Sequence, residues 1–345
     1  MALATLQVLL MNKKPKPTAT SPGSSVEPAT NGLDLFIPID DTTEQYAGIA
    51  KMLRGRVANK LAGVTLAFPD VSANGIASAP SSLNPALVRL VQGLPKRTKV
   101  GVAYDGSSAP YTSLAGEMSH PLAYARSIVQ TQDTMAKELG RNLNGGAAGD
   151  WEFPTEGQQN DVTTIVRFVQ KAGIPMTVEI GPGNDQGINY GALAATGANF
   201  NVMSLDDPLG SEPAEPNAPG ATTISDLESL QREGVSASHE SYELPLYAQT
   251  FPDATGFGQN YNMQATAEVP DSSLAGMHMT HVVDNLSNLS SSGVVGNTLY
   301  SYESNRDISE IARAAAAIGV RNVTAWEADQ AIWGALMAAE GQGAY

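Results

Sequence analysis

The stretch LNGGAAGDWEFPT, residues 143–155, decides how the rest of the chain is read. A run of small residues leads into two carboxylates, Asp150 and Glu152, with Trp151 between them and Phe153-Pro154 ending it. Side chains two apart on a strand share a face, so as a strand this stretch aims Asp150 and Glu152 one way and Trp151 the other. Two carboxyls crowded on one face cannot both ionise freely. One pKa then rises, which is what an acid catalyst needs. The alternative is a solvated acidic pair at a strand end, an ordinary feature in a chain of net charge −15.

Outward from this stretch, short apolar runs alternate with helix-like segments. LDLFIPI (33–39), AGVTLAF (62–68), TKVGVAYDG (98–106), IPMTVEIGPG (174–183), ANFNVMSLDD (198–207), YELPLYAQTF (242–251) and RNVTAWEAD (321–329) read as strands. Helical patterns fall over 43–53, 83–94, 122–139, 162–173, 188–197 and 309–320. With the strand ending in DWEFP, that is about eight strands, mostly separated by helices, the plan of an α/β chain folded as a (β/α)8 TIM barrel. A doubly wound sheet should carry a Gly-rich phosphate loop after its first strand, and LDLFIPIDDTTEQ has none.

The chain divides into a flexible N-terminal arm, residues 1–32, and one barrel domain over 33–345. NKKPKPTATSPGSSVEPATNG (12–32) is rich in Pro, Ser, Thr and Lys without periodicity. MALATLQVLLM ahead of it is apolar but too short to span a bilayer. It has no basic segment before the apolar run and no clear A-x-A site after it, so it does not read as a signal peptide. It reads instead either as part of a plain linker or as a hook that docks on a protein assembly partner.

Composition narrows the function. A strongly acidic chain argues against nucleic acid and against anionic membranes as partners and fits neutral or cationic ligands. Without Cys there is no disulfide, thiol nucleophile or Cys-based metal site. No cofactor and no metal is expected. GPGNDQG (181–187) lacks the Lys-Ser/Thr of a phosphate loop, and no G-x-S-x-G elbow occurs. His278 and His281 in GMHMTHVVD would share a face on a helix, but no third ligand is evident.

DWEFP and its approach resemble the D-W-E-Y-P end of the glycoside hydrolase family 18 (chitinase) signature, D-G-x-D-x-D-W-E. Its last Asp falls on Asp150 and its Glu on Glu152, while Gly145 and Ala148 occupy the two earlier Asp positions. Further landmarks follow in the family's order. AYDG (103–106) resembles its S-x-G-G strand end, and residues 117–140 its helix before the catalytic strand. NVMSLDD (201–207) resembles M-x-Y-D, with Met203 and Asp206 in place and Leu205 where the family has Tyr. ELPLYAQTF (243–251) resembles G-x-P-x-Y-G-R-T-F, and residues 301–329 the final helix and the strand bearing a late Trp, here Trp326.

The resemblance implies a barrel with its site at the C-terminal strand ends, acting on β-1,4-linked N-acetylglucosamine polymers by substrate-assisted, retaining hydrolysis. Glu152 would be the acid. Asp150 would raise the pKa of Glu152 and orient the substrate's N-acetyl group, and Asp206 would assist at the acetamide. Trp326 would floor the sugar site, joined on the substrate side by Met203, Tyr104 and Tyr247, the last of which either lines the pocket or packs. Leu205 removes a phenol donor, a loss worth about 10²–10³ in rate. Gly145 and Ala148 remove the carboxylates behind Asp150. A non-catalytic, chitinase-like carbohydrate-binding or assembly protein therefore stays open beside the hydrolase, with an extracellular or virion-associated setting expected for either.

Overall fold

The computed structural model describes residues 32–54, 61–105, 108–151, 154–181, 186–205, 213–274 and 276–328. All of the arm but its last residue, that is residues 1–31, lies outside the described residues.

Eight parallel strands close a barrel: β1 (Leu33–Pro38), β2 (Leu61–Ala67), β3 (Lys99–Asp105), β4 (Gly146–Asp150), β5 (Met176–Ile180), β6 (Asn199–Val202), β7 (Glu240–Pro245) and β13 (Asn322–Trp326). Their order is β1-β13-β7-β6-β5-β4-β3-β2, each neighbour parallel, with helices between them along the chain. This is the expected (β/α)8 barrel. The strands alternate as period two requires. On β3, Val100, Val102 and Tyr104 join the core under the helices, while Ala103 packs inside the barrel with Phe36, Ala67 and Ala148. Helix ends carry the signals their residues suggest. Thr42 and Gln45 form a capping box on helix Thr43–Met52, Ser304 and Asp307 one on Asn305–Ala317, and Gly140 closes Pro121–Leu139 in the left-handed conformation.

Between β7 and β13 the chain builds a second, antiparallel sheet of β8 (Tyr247–Pro252), β9 (Glu268–Pro270), β10 (Thr280–Asn285), β11 (Ser290–Val295) and β12 (Thr298–Tyr302), in the order β10-β11-β12-β8-β9. The run 242–251, read from sequence as one strand, is thus two strands in two sheets. The break comes at Pro245-Leu246, where proline has no N–H to give a ladder and the Leu246 N–H donates to the Trp326 carbonyl, 2.6 Å. The helical spacing read into His278 and His281 is also corrected. His281 lies on β10 and His278 just before it, both exposed.

Candidate active site

β4 is made by glycine. A Cβ on Gly145 would sit 2.6 Å from the Gly101 nitrogen and 2.7 Å from the Val100 carbonyl carbon, so β3 and β4 approach too closely there for any side chain. Gly146 has φ +92°, a conformation glycine adopts without strain. At Gly149 a Cβ would fall 2.5 Å from Cζ2 of Trp151, whose buried indole packs across it in the core outside the barrel. With Trp151 outside, Ala148 and Asp150 face in. Asp150 ends the strand at its C-terminal side and is 8% exposed. Glu152 lies outside the described residues, as does Asp206. β6 ends at Val202, after which the Met203 N–H donates to the Ile180 carbonyl (2.9 Å), and both Met203 and Leu205 are half-buried.

The lumen below Asp150 is polar where TIM barrels are commonly filled by branched aliphatics. Asn201 is its hub. Its Nδ2 donates to Oε2 of Glu179 and, at 2.8 Å, to Oε2 of Glu243. Its Oδ1 accepts from the hydroxyls of Ser241, 2.8 Å, and Thr324, 2.9 Å. Register sets Asp150 of β4 opposite Glu179 of β5, and Glu179 opposite Asn201 of β6. Burial first, then the nearby charges of Glu243, Asp150 and Asp34, hold the Glu179 carboxyl well above the usual range, against the hydrogen bond from Asn201. Burial likewise raises Asp34 to about 6, partly offset by a 3.0 Å bond from the Thr65 hydroxyl.

Across the mouth stands an aromatic group. Trp326, last residue of β13, stacks on Phe68, and Phe36 tilts against the same indole. The peptides Ala67–Phe68 and Trp326–Glu327 are cis. Phe68 and Trp326 line a cleft of about 880 Å³ whose charged walls are Asp40, Asp41, Asp70 and Glu327. No Lys or Arg contributes to it among the described residues.

The other residues singled out from sequence sit elsewhere. Tyr104 is fully buried on the helix side of β3, its hydroxyl 3.4 Å from the Ile128 carbonyl, and so faces away from the lumen. Tyr247 is buried at the start of β8, directly after Leu246. Among the described residues, no three of His, Cys, Asp and Glu are grouped to hold a metal. Sequence reasoning missed Phe36, Phe68, Glu179, Asn201 and Glu243. The signal for Glu179 and Glu243 was present: each is the lone acid in a largely apolar run, IPMTVEI and YELPLY.

No protein-family model matches the chain, and no curated protein sequence does. Solved structures do match, as folds. The chitinase-like agglutinin RobpsCRA from Robinia pseudoacacia superposes with a TM-score of 0.72 at 16% identity, over 90% of this chain and 99% of that one. A mutant class V chitinase from Nicotiana tobaccum in complex with NAG4 gives 0.71 at 13%, over 90% and 98%. A family GH18 chitinase from Cycas revoluta in complex with allosamidin gives 0.71 at 14%, over 90% and 99%. The chain therefore has the barrel fold that chitinases and a chitinase-like agglutinin use.

Proposed function

We propose that the protein is a chitinase-like glycoside hydrolase that binds β-1,4-linked N-acetylglucosamine chains at the C-terminal mouth of the barrel and cleaves them slowly. The observation that carries this reading is Asp150, an inward carboxylate at the end of β4, at the same mouth as the Phe36–Phe68–Trp326 aromatic group. Glu152 is the acid that protonates the leaving oxygen. Asp150 orients the substrate's acetamide, whose oxygen attacks the anomeric carbon, and Asp206 assists there. Trp326 and Phe68 carry a sugar face, with Met203 at the rim. Water then opens the cyclic intermediate at the same carbon, and the two displacements together retain configuration without attack by an enzyme carboxylate.

A second reading is supported by Gly145, Ala148 and Leu205, and by the likeness to an agglutinin. In it the cleft binds the glycan without cutting it, since function resides in the site and not the fold. Proton NMR of a chitotetraose digest separates the two. β-anomeric products formed first support the hydrolase. Binding with no product supports the lectin-like reading, and neither binding nor product removes both.

A further inference from the structure

This inference rests on the hydrolase reading and concerns which group tunes Asp150. Ala148, two residues before Asp150 on the same face of β4, carries no polar group. On the adjacent strand β5, Glu179 takes the register position beside Asp150.

We infer that Glu179 is a positioning residue for Asp150, standing beside it on the adjacent strand as a neutral carboxylic acid whose proton is directed at the Asp150 carboxylate. Three observations carry this. Strand register fixes the two residues side by side, independently of side-chain conformation. Asn201 Nδ2 holds one oxygen of Glu179, Oε2, and so restricts the carboxyl's orientation. The charged groups acting on Glu179 among the described residues are all acidic: Asp150 on β4, Glu243 on β7 and Asp34 on β1. Lys99 is a basic group near this set, and it acts on Asp34. A buried carboxyl among three others keeps its proton, because ionisation would add a like charge in a poorly solvated place. A neutral Glu179 beside an ionised Asp150 is then the arrangement of lowest charge that still leaves Asp150 an acceptor. The lone acid in IPMTVEI would thus supply to β4, from the next strand, what Gly145 and Ala148 cannot.

The test is carboxyl 13C NMR titration of the full chain, compared for wild type, Asp150→Asn and Glu243→Gln, with Glu179→Gln used to assign the Glu179 signal. The expected result is a Glu179 midpoint lowered by about one pH unit in Asp150→Asn. A midpoint that moves with Glu243→Gln but not with Asp150→Asn overturns the inference and leaves Glu179 as core. Because this readout needs no turnover, it decides the inference even if the hydrolase reading fails. Where turnover depends on Glu152, Glu179→Gln should move the alkaline limb of the kcat profile to higher pH, since residue 179 then has no proton to lose. Glu179→Leu should lower kcat about tenfold with little change in KM, the loss of one hydrogen bond. Glu152-dependent turnover with both profiles unchanged would sink the positioning role while sparing the hydrolase.

Discussion

The indole of Trp326 lies on the ring of Phe68, centroids 5.5 Å apart and planes 27° from parallel, while Phe36 tilts against the same indole at 5.4 Å. Trp326 ends β13 and Phe68 directly follows β2, and β1, which carries Phe36, lies between those strands in the barrel. An apolar sugar face laid on Trp326 would therefore meet a ring already held by two others.

Trp326→Ala should weaken chitotetraose binding about tenfold or more, the scale of one aromatic contact, and Phe68→Ala by somewhat less. Titration calorimetry at neutral pH measures both. Unchanged affinity in Trp326→Ala would remove the aromatic group from the sugar site.

Asp40, Asp41, Asp70 and Glu327 give the cleft walls one sign of charge. Neutral chito-oligosaccharides should bind with little dependence on salt. Uronate-containing glycans of equal length should not bind detectably at low salt, where repulsion is least screened. A glycan-array comparison at two ionic strengths checks this.

Gly145 faces backbone atoms of β3 at less than any real Cβ contact, so even alanine there must displace a strand. Gly145→Ala should cost about 1–3 kcal/mol in urea unfolding. Gly149→Ala should instead push on the Trp151 ring and alter its fluorescence, because the atoms it meets belong to a side chain.

Asp271 is 5% exposed, and burial raises it to about 7. Well below pH 4 it is protonated folded or unfolded. As pH climbs from there to about 7 the unfolded chain releases a proton that the folded one keeps, so stability falls through that window and then levels off. Asp271→Asn should remove this fall. Relative to wild type, the variant should gain up to about 4 kcal/mol between pH 4 and pH 8, read from denaturation midpoints. A constant difference across that range would contradict the buried-acid account.

The barrel was legible because its strands are outwardly apolar. LDLFIPI, AGVTLAF and TKVGVAYDG bury one face under helices, and the pattern shows it. Beyond β8 the second sheet was not, because β11, one of its inner strands, hides behind polarity. Ser290, Ser291 and Ser292 are buried on β11, with the Ser291 hydroxyl 2.6 Å from Asp307, and no apolar alternation betrays them. The candidate site was half legible. Asp150 and Trp326 stand out by motif, but Glu179, which the register sets beside Asp150, comes from another strand. Glu179 is 29 residues later in the chain and meets Asp150 only through the β4–β5 register. Tyr104 shows the reverse. Its place in a matched landmark suggested the substrate side, whereas strand alternation puts it under helix Pro121–Leu139.

The most direct measurement is turnover of a fluorogenic chitotriose substrate by wild type and by Glu152→Gln, with chitotriose binding measured for both. The account predicts slow release by wild type, loss of about 10² or more in kcat for Glu152→Gln, and similar affinity in both proteins. Turnover that survives Glu152→Gln, or a wild type that neither cleaves nor binds the sugar, would contradict it.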